Sequence, residues 1–312
     1  MLENTNSFNV PNINSNNAIT KEIIYEIDSE TFENLKQDLK NESFLCVCSG
    51  GTTSNCARDN FITLDLRKNY GNIFLNKSTG IVSIGGGVVM GDLLNYLKKE
   101  NLFFPSGLSK LPGVGFILTG GVSPLSRKYG LAIDNLEYIK GYLGNGKYIS
   151  LNKNDLKEDE NLIWRAIKGA APFIAVITEI GLKTFQSHPN LLIEGYVSEK
   201  ELAELITISE NFPSNQSLQW IYSEKIYIYI ISEYENKSEF ELTVNLIQEL
   251  EKFKSLDHKF FKSFKEIDFF PRELDLFELN QFNFSEVTSL LGEDLNNKVD
   301  EFIKTLNQII KE

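Results

Sequence analysis

Residues 45–54 read Leu45-Cys46-Val47-Cys48-Ser49-Gly50-Gly51-Thr52-Thr53-Ser54. An apolar run of strand character stops at two glycines, with hydroxyl side chains on either side of them. Consecutive glycines let backbone N–H groups turn into one concavity, and Ser and Thr add further donors, an arrangement suited to a diphosphate. The candidate binding residues of this loop are Cys48, Ser49, Gly50, Gly51, Thr52, Thr53 and Ser54. Cys46 and Cys48 lie two apart on the strand and share a face, so they read as core thiols beneath the loop.

Outward from the loop, strands alternate with helices. Residues 18–27 read as a strand. Residues 29–42 read as a helix with Ser29 as N-cap and Phe32, Leu35 and Leu39 on one face. Residues 61–66, 72–76 and 80–86 read as strands and 91–101 as an amphipathic helix. Residues 102–135 are rich in Gly, Pro and Ser, and a long irregular stretch inside a domain is usually functional. Residues 136–152 form a hairpin with Asn145-Gly146 as a two-residue turn. Residues 159–168 look helical, and 173–185 reads as a buried strand or strand pair. Past His188-Pro189 a new section starts, in the order of a small separate subdomain: strand 191–197, helix 198–211, a long strand or hairpin over 218–234, and helix 238–253. Residues 254–312 are charged and read as mostly helical. The class is α+β.

The chain has 312 residues, 42% hydrophobic and 24% charged, with a net charge of −12. Such an acidic chain repels phosphate backbones, which argues against nucleic-acid binding. No apolar run reaches bilayer length. The polar, Asn-rich residues 1–17 read as a loose tail and not as a signal peptide. With three cysteines (Cys46, Cys48, Cys56), the expected compartment is the reducing cytoplasm, with free thiols.

Three short motifs fail on physical grounds. Gly85-Gly86-Gly87-Val88-Val89-Met90 has Met90 where a dinucleotide fingerprint needs its third glycine. Residues 141–147 (GYLGNGK) match seven positions of a Walker A loop, but Tyr148 follows and the segment is a hairpin. His188 and His258 are far apart, so no metal cluster is expected.

Four segments, in order, resemble the vanillyl-alcohol oxidase and berberine-bridge-enzyme flavoproteins, the PCMH-type FAD-linked oxidases. The first is the loop at 47–54. The second is Ile62–Leu66 with Ile81–Val88 and Gly91-Asp92-Leu93. The third comprises Phe104-Pro105-Ser106-Gly107, Gly113-Val114-Gly115, Gly120-Gly121 and the run Leu125–Asn135. The fourth is the 136–152 hairpin with residues 162–169 and Val176-Ile177-Thr178. The resemblance covers about residues 20–185. It implies a two-lobed FAD-binding domain over 18–186, with lobes about 18–75 and 76–186, followed by a reduced α+β substrate cap over 187–312. It implies FAD contacts from Pro105, Gly107, Gly113, Gly115, Gly120, Gly121, Gly130, Asp134, Val176, Ile177 and Thr178, besides the first loop.

The implied activity is hydride transfer from a small alcohol, hydroxy-acid or sugar-like substrate to FAD, with an unidentified electron acceptor. Thr52-Thr53 and Leu108-Ser109-Lys110 stand where relatives carry a histidine and a cysteine bonded to flavin, so noncovalent FAD is expected. Thr119, Ser123, Pro124 and Ala170-Ala171-Pro172-Phe173 replace glycines and an aromatic of the family, and Pro124 and Pro172 also remove N–H donors. The rival readings are a catalytically degenerate FAD- or nucleotide-binding module or subunit, and an interaction protein. Arg127 and Lys128 read as a solvated pair and Asp134 also as a turn cap. No catalytic base is assigned; Tyr222, Tyr227 and Tyr229 are the tyrosines to inspect, with Tyr222 and Tyr227 on opposite faces of a regular strand.

Overall fold

The computed structural model describes residues 7–8, 18–40, 45–52, 56–222, 225–267 and 285–288. They fall into two compact units. One takes in the chain up to Val122 and Leu131–Phe185; the other takes in Ser123–Gly130 and the chain from Gln186 onward.

The first unit starts with β1 (Ser7–Phe8) paired antiparallel to β2 (Ala18–Ile19). The tail expected to be loose thus contributes one short strand. β3 (Glu22–Ile24), β4 (Leu45–Cys48) and β5 (Ile62–Asp65) form a parallel sheet with β5 in the middle. Parallel neighbours need a crossover, and α1 (Ser29–Lys40) supplies it between β3 and β4. Its cap is Asp28, not Ser29: the Asp28 carboxylate accepts the Thr31 N–H at 2.7 Å, and that bond lowers the carboxyl's affinity for a proton. Phe32 and Leu35 are buried as the helical period requires, and Phe32 stacks on Tyr142 at 4.8 Å.

The second lobe of this unit is an antiparallel sheet. Its strands are β6 (Ile73–Asn76), β7 (Ile81–Gly85), β9 (Leu136–Leu143), β10 (Tyr148–Asn152) and β11 (Ala175–Lys183), in the order β10-β9-β11-β7-β6. α2 (Met90–Lys99), α3 (Val114–Leu118) and α5 (Glu158–Ile174) contribute to its core, which centres on Val82, Ile84, Leu93, Leu97, Ile117 and Ile180. β8 (Leu102–Phe103) follows α2, and β12 (Phe185–Gln186) straddles the division between the units. The β9–β10 loop comprises residues 144–147, two longer than expected, and the Leu143 N–H donates to the Lys147 carbonyl at 2.9 Å across it. Gly146 sits at φ +80° and donates to the Leu143 carbonyl at 2.8 Å, a turn with a left-handed last residue. The hairpin opens no helix, which removes the phosphate-loop match.

The second unit is built on an antiparallel sheet of β13 (Asn190–Val197), β14 (Gln216–Tyr222), β15 (Ile226–Glu233), β16 (Leu256–Phe261) and β17 (Ser285–Thr288), in the order β16-β13-β15-β14-β17. α6 (Glu199–Ser209) and α7 (Lys237–Leu250) cover one face over Leu191, Ile193, Leu218, Trp220, Ile228 and Ile230. The 218–234 run is a hairpin. The expectation of helix beyond residue 254 fails over the described residues 254–267 and 285–288, which hold β16, a short 3-10 turn at Phe264–Glu266 and β17; the rest of that stretch lies outside the described residues.

The short α4 (Ser126–Tyr129) belongs to this second unit. Arg127 and Lys128 are not a solvated pair. Arg127 donates to the Gln216 and Phe212 carbonyls at 2.9 and 2.8 Å, and Lys128 pairs with the buried Glu233 at 2.8 Å. The Tyr129 hydroxyl donates to the same carboxylate at 2.6 Å. Pro124 loses no needed donor, because it follows Ser123, whose carbonyl accepts from Ser126 N–H at 2.9 Å; that is the turn position proline favours.

Lys128 also pairs with the more exposed Glu235 at 2.5 Å; Glu233→Gln leaves it with that partner alone, and the expected loss is about 3 kcal/mol in urea unfolding, as for breaking a buried pair. At α6, Ser198 accepts the Glu201 N–H and the Glu201 carboxylate accepts the Ser198 N–H at 2.7 Å, which holds that carboxyl below its ordinary range. A lowered folded-state value means the stabilisation is present above the unfolded carboxylate range and is lost as pH falls through the folded value. Ser198→Ala should cost about 1 kcal/mol near neutral pH, and the deficit should shrink on acidification.

Candidate functional site

The Ser49 hydroxyl ties three segments of the first unit together. It donates to the Gly86 carbonyl at 2.5 Å and accepts the Val114 N–H at 2.9 Å. Ser49 leaves the end of β4, Gly86 follows β7, and Val114 opens α3. Around this bridge lies an open cleft of about 410 Å³, counting its mouth, between the parallel and antiparallel lobes. Val47, Ser49 and Leu66 line it from the parallel side; Gly86, Val114, Gly115, Leu118, Ala171, Pro172, Ala175 and Ile177 line it from the other.

Glycines allow the approach. A methyl on Gly50 would overlap the Gly113 amide nitrogen, and one on Gly113 would overlap the Ser49 hydroxyl. A methyl on Gly86 would overlap the Ile177 carbonyl, and the Gly86 N–H donates to the Thr178 carbonyl at 2.8 Å. The β9–β11 register shifts between Ile177 and Glu179, so Thr178 is a bulge that re-aims the strand beside the cleft. Gly115 is different. A methyl there meets nothing within 4 Å and its φ is not positive, yet it lines the cleft.

The turn from β7 to α2 directs N–H groups onto the protein's own carbonyls. The Met90 and Gly91 N–H groups donate to the Pro112 and Lys110 carbonyls, each at 2.8 Å. Those donors are spent on fixing the chain at Lys110 and Pro112.

α5 bends at Lys168-Gly169, where Gly169 has φ +112°. The chain therefore restarts a helix at residue 170, and Pro172 falls in its first turn, where an N–H has no helical partner to serve. That accounts for the proline. The bend also brings Ala171, Pro172 and Ala175 to the cleft.

Of the residues expected to bind, Ser49, Gly115 and Ile177 line the cleft, with Gly50 and Gly113 packed just behind it. Gly51 has φ +69° and is buried; Thr52 is half-buried beside it. Thr53 and Ser54 lie outside the described residues. Cys48 faces away, into a cluster with Cys56, Ala18 and Ala57. Pro105 is buried, and Gly107 lies against the Phe116 ring. Gly120 and Gly121, at φ +129° and +73°, accept the Ile133 and Ala132 N–H groups. Asp134 caps its own turn, accepting the Leu131 N–H at 3.1 Å, and pairs with Lys168 at 3.5 Å. Val176 sits in the core shared by the lobes, and the Thr178 hydroxyl donates to the Lys140 carbonyl at 3.3 Å. Gly130, at φ +76°, closes α4 in the other unit.

Sequence reasoning did not single out Leu66, Leu118 or Ala175, small or aliphatic residues whose types carry no chemical signal. Gly86 was visible as a glycine after a strand.

In the second unit, Tyr227 is buried, its hydroxyl donates to Glu194, and its ring lies 5.4 Å from Tyr196 and 6.3 Å from Tyr229. Burial and the Glu194 carboxylate push its ionisation well above the ordinary phenol range, so it stays protonated near neutral pH. Tyr222 opposes Ile226 in the hairpin, whereas Tyr227 opposes Ile221. Among the described residues no group of three His, Cys, Asp or Glu side chains is placed to hold a metal.

Comparison with known proteins agrees with this geometry. Residues 38–152 match the family model described as an FAD binding domain. The chain is 34% identical over 172 residues to (R)-6-hydroxynicotine oxidase of Paenarthrobacter nicotinovorans, covering 52% of this chain and 36% of that protein. It is 33% identical over 149 residues to the FAD-linked oxidoreductase janO of Penicillium janthinellum, covering 46% and 32%. Among solved structures, xylooligosaccharide oxidase from Myceliophthora thermophila C1 aligns with a TM-score of 0.68 at 18% identity, covering 85% of this chain and 59% of that one. Berberine-bridge-enzyme-like 1 of Physcomitrella patens aligns with a TM-score of 0.68 at 17% identity, covering 92% and 66%. Residues 38–152 thus resemble an FAD-binding domain, and the chain spans about a third of the length of these two curated relatives.

The residues present fit FAD. Ser49 and the glycine contacts hold a cleft open between the lobes, and Gly115 leaves space that no protein atom fills. Gly50→Ala should lower stability by several kcal/mol or prevent folding, because its methyl meets backbone that cannot rotate away. Gly115→Ala should leave the stability of the FAD-free protein unchanged or raise it by up to about 1 kcal/mol of helix propensity, with no fall in melting temperature. Thermal unfolding of the two purified variants separates these roles.

Proposed function

We propose that this chain is an FAD-dependent oxidoreductase that removes a hydride from a small alcohol, hydroxy-acid or sugar-like substrate and passes the electrons to a separate acceptor. The observation that carries the reading is the cleft built around Ser49, Gly86 and Gly115 between the two lobes. When bound, the flavin supplies the hydride-accepting chemistry, and the protein supplies position and electrostatics. Ser49, Gly50, Gly51 and Thr52 offer the diphosphate backbone and hydroxyl donors. Gly115 lets the cofactor approach the backbone of α3. Val47, Leu66, Leu118 and Ile177 keep water from the apolar part of the cleft. The other expected contacts, from Pro105 and Gly107 through Gly120, Gly121 and Asp134 to Val176 and Thr178, shape the loops around it.

FAD is held without a covalent bond. Thr52 and Leu108-Ser109-Lys110 offer neither histidine nor cysteine, and no cysteine lines the cleft. The second unit is the substrate cap in this reading. The face of its sheet that carries Tyr227 and Tyr229 also holds Gln219, whose buried amide oxygen lacks a hydrogen-bond partner, so it has polar and aromatic groups with which to meet a hydroxylated molecule. The three unpaired cysteines suit the cytoplasm.

The purified protein is expected to be yellow, or to become so with FAD, and to release its flavin on denaturation. FAD at a hundredfold excess over Kd should add about 2.7 kcal/mol of stability. Gly115→Leu should abolish that gain while the FAD-free melting temperature holds. A colourless protein that neither binds nor is stabilised by FAD overturns the reading. Bound flavin that no alcohol, hydroxy acid or sugar reduces under anaerobic conditions overturns the proposed reaction.

A further inference from the structure

Cys48 ends β4, directly before Ser49, and is fully buried; Cys56 is also buried. Their side chains pack in one small cluster with Ala18 and Ala57, and the two thiols are hydrogen-bonded to one another. Cys48 lies opposite Asp65 in the parallel ladder. Asp65 holds the Arg67 guanidinium by two bonds, each 2.8 Å, and the guanidinium's positive charge acts on both sulfurs. The flavin reading assigns no work to this pair, whose sulfurs lie away from the cleft.

We propose that Cys48 and Cys56 form a reversible disulfide under peroxide, tying the end of β4 to residue 56 immediately behind the Ser49 bridge. Two thiols in hydrogen-bond contact need little movement to reach bonding distance. One of the two thiols displaces an oxygen of hydrogen peroxide, giving a sulfenic acid and one water. The second sulfur then displaces the sulfenic hydroxyl, which leaves as a second water with that thiol's proton. The peroxide is reduced to two waters and the thiol pair is oxidised to one disulfide. A reducing compartment returns the pair to thiols.

Cys46 provides the internal control. It is buried on the same face of β4, and burial pushes its thiol up, but it has no thiol hydrogen bond of this kind. The test treats the folded, full-length protein with hydrogen peroxide, blocks remaining thiols with an alkylating reagent and maps the peptides by mass spectrometry. A Cys48–Cys56 cross-linked peptide is expected, lighter by two hydrogens, with Cys46 alkylated and the cross-link reversed by dithiothreitol. Cys46→Ser should form the same cross-link. Cys56→Ser should not, and if that variant fails to fold, the wild-type map decides alone. A second readout is the Val114 amide, bonded to the Ser49 hydroxyl, whose hydrogen exchange should change severalfold in the disulfide form. Thiols that stay alkylatable in the folded protein, or a cross-link through Cys46, overturn the proposal; unchanged Val114 exchange overturns its link to the cleft. None of these readings requires bound FAD, so they stand apart from the outcome of the flavin tests.

Discussion

One hydroxyl group organises the nucleotide-binding half of this molecule. Ser49 uses its proton on one segment and its lone pair on another, so the end of a parallel strand, the turn after an antiparallel strand and the start of a short helix converge on a single oxygen. The cleft lies where the two lobes meet. The two share apolar residues, with Phe32, Ile62 and Leu64 of one packed with Tyr142 and Val176 of the other. Hydrophobic contact brings the lobes together without direction. The directed bonds of Ser49 and Gly86 determine where they stay apart.

The glycines of the cleft divide into two kinds. Gly50, Gly86 and Gly113 are required by the protein itself, since a side chain at any of them would strike neighbouring backbone. Gly115 is not. It sits in a helix, where glycine costs about 1 kcal/mol relative to alanine, and the fold gains no close contact from it. A residue that is locally unfavourable and internally unexplained implies an external partner. It is thus a sharper sign of a ligand than the glycine-rich loop, whose glycines the backbone contacts already explain.

Elements with strong periodicity were legible in the sequence. α2, α6 and α7 begin and end within a few residues of where their apolar spacing and caps put them. β16 was not legible, for a physical reason. Leu256–Phe261 is an edge strand whose side chains are mostly exposed, so it shows no alternation between core and solvent and is held by backbone pairing with β13. The cleft was legible in its glycines and its serine. Its walls at Leu66, Leu118 and Ala175 were not, because an aliphatic side chain reads the same whether it faces a core or a cofactor.

The prolines show how a sequence departure can be misread without local structure. Pro172 looked costly because it removes a donor from a stretch that approaches the flavin in the family. Gly169, in a left-handed conformation, breaks the helix first, and the proline then falls in a new first turn whose N–H groups have no helical acceptor. The two residues work as a pair: the glycine sets the bend and the proline fixes the backbone beyond it, which carries Ala171 and Ala175 to the cleft wall. Substituting either one alone would leave a lost donor without a bend or a bend without a stiffened exit. The departure is therefore one coupled change of backbone path that ends at the cleft wall.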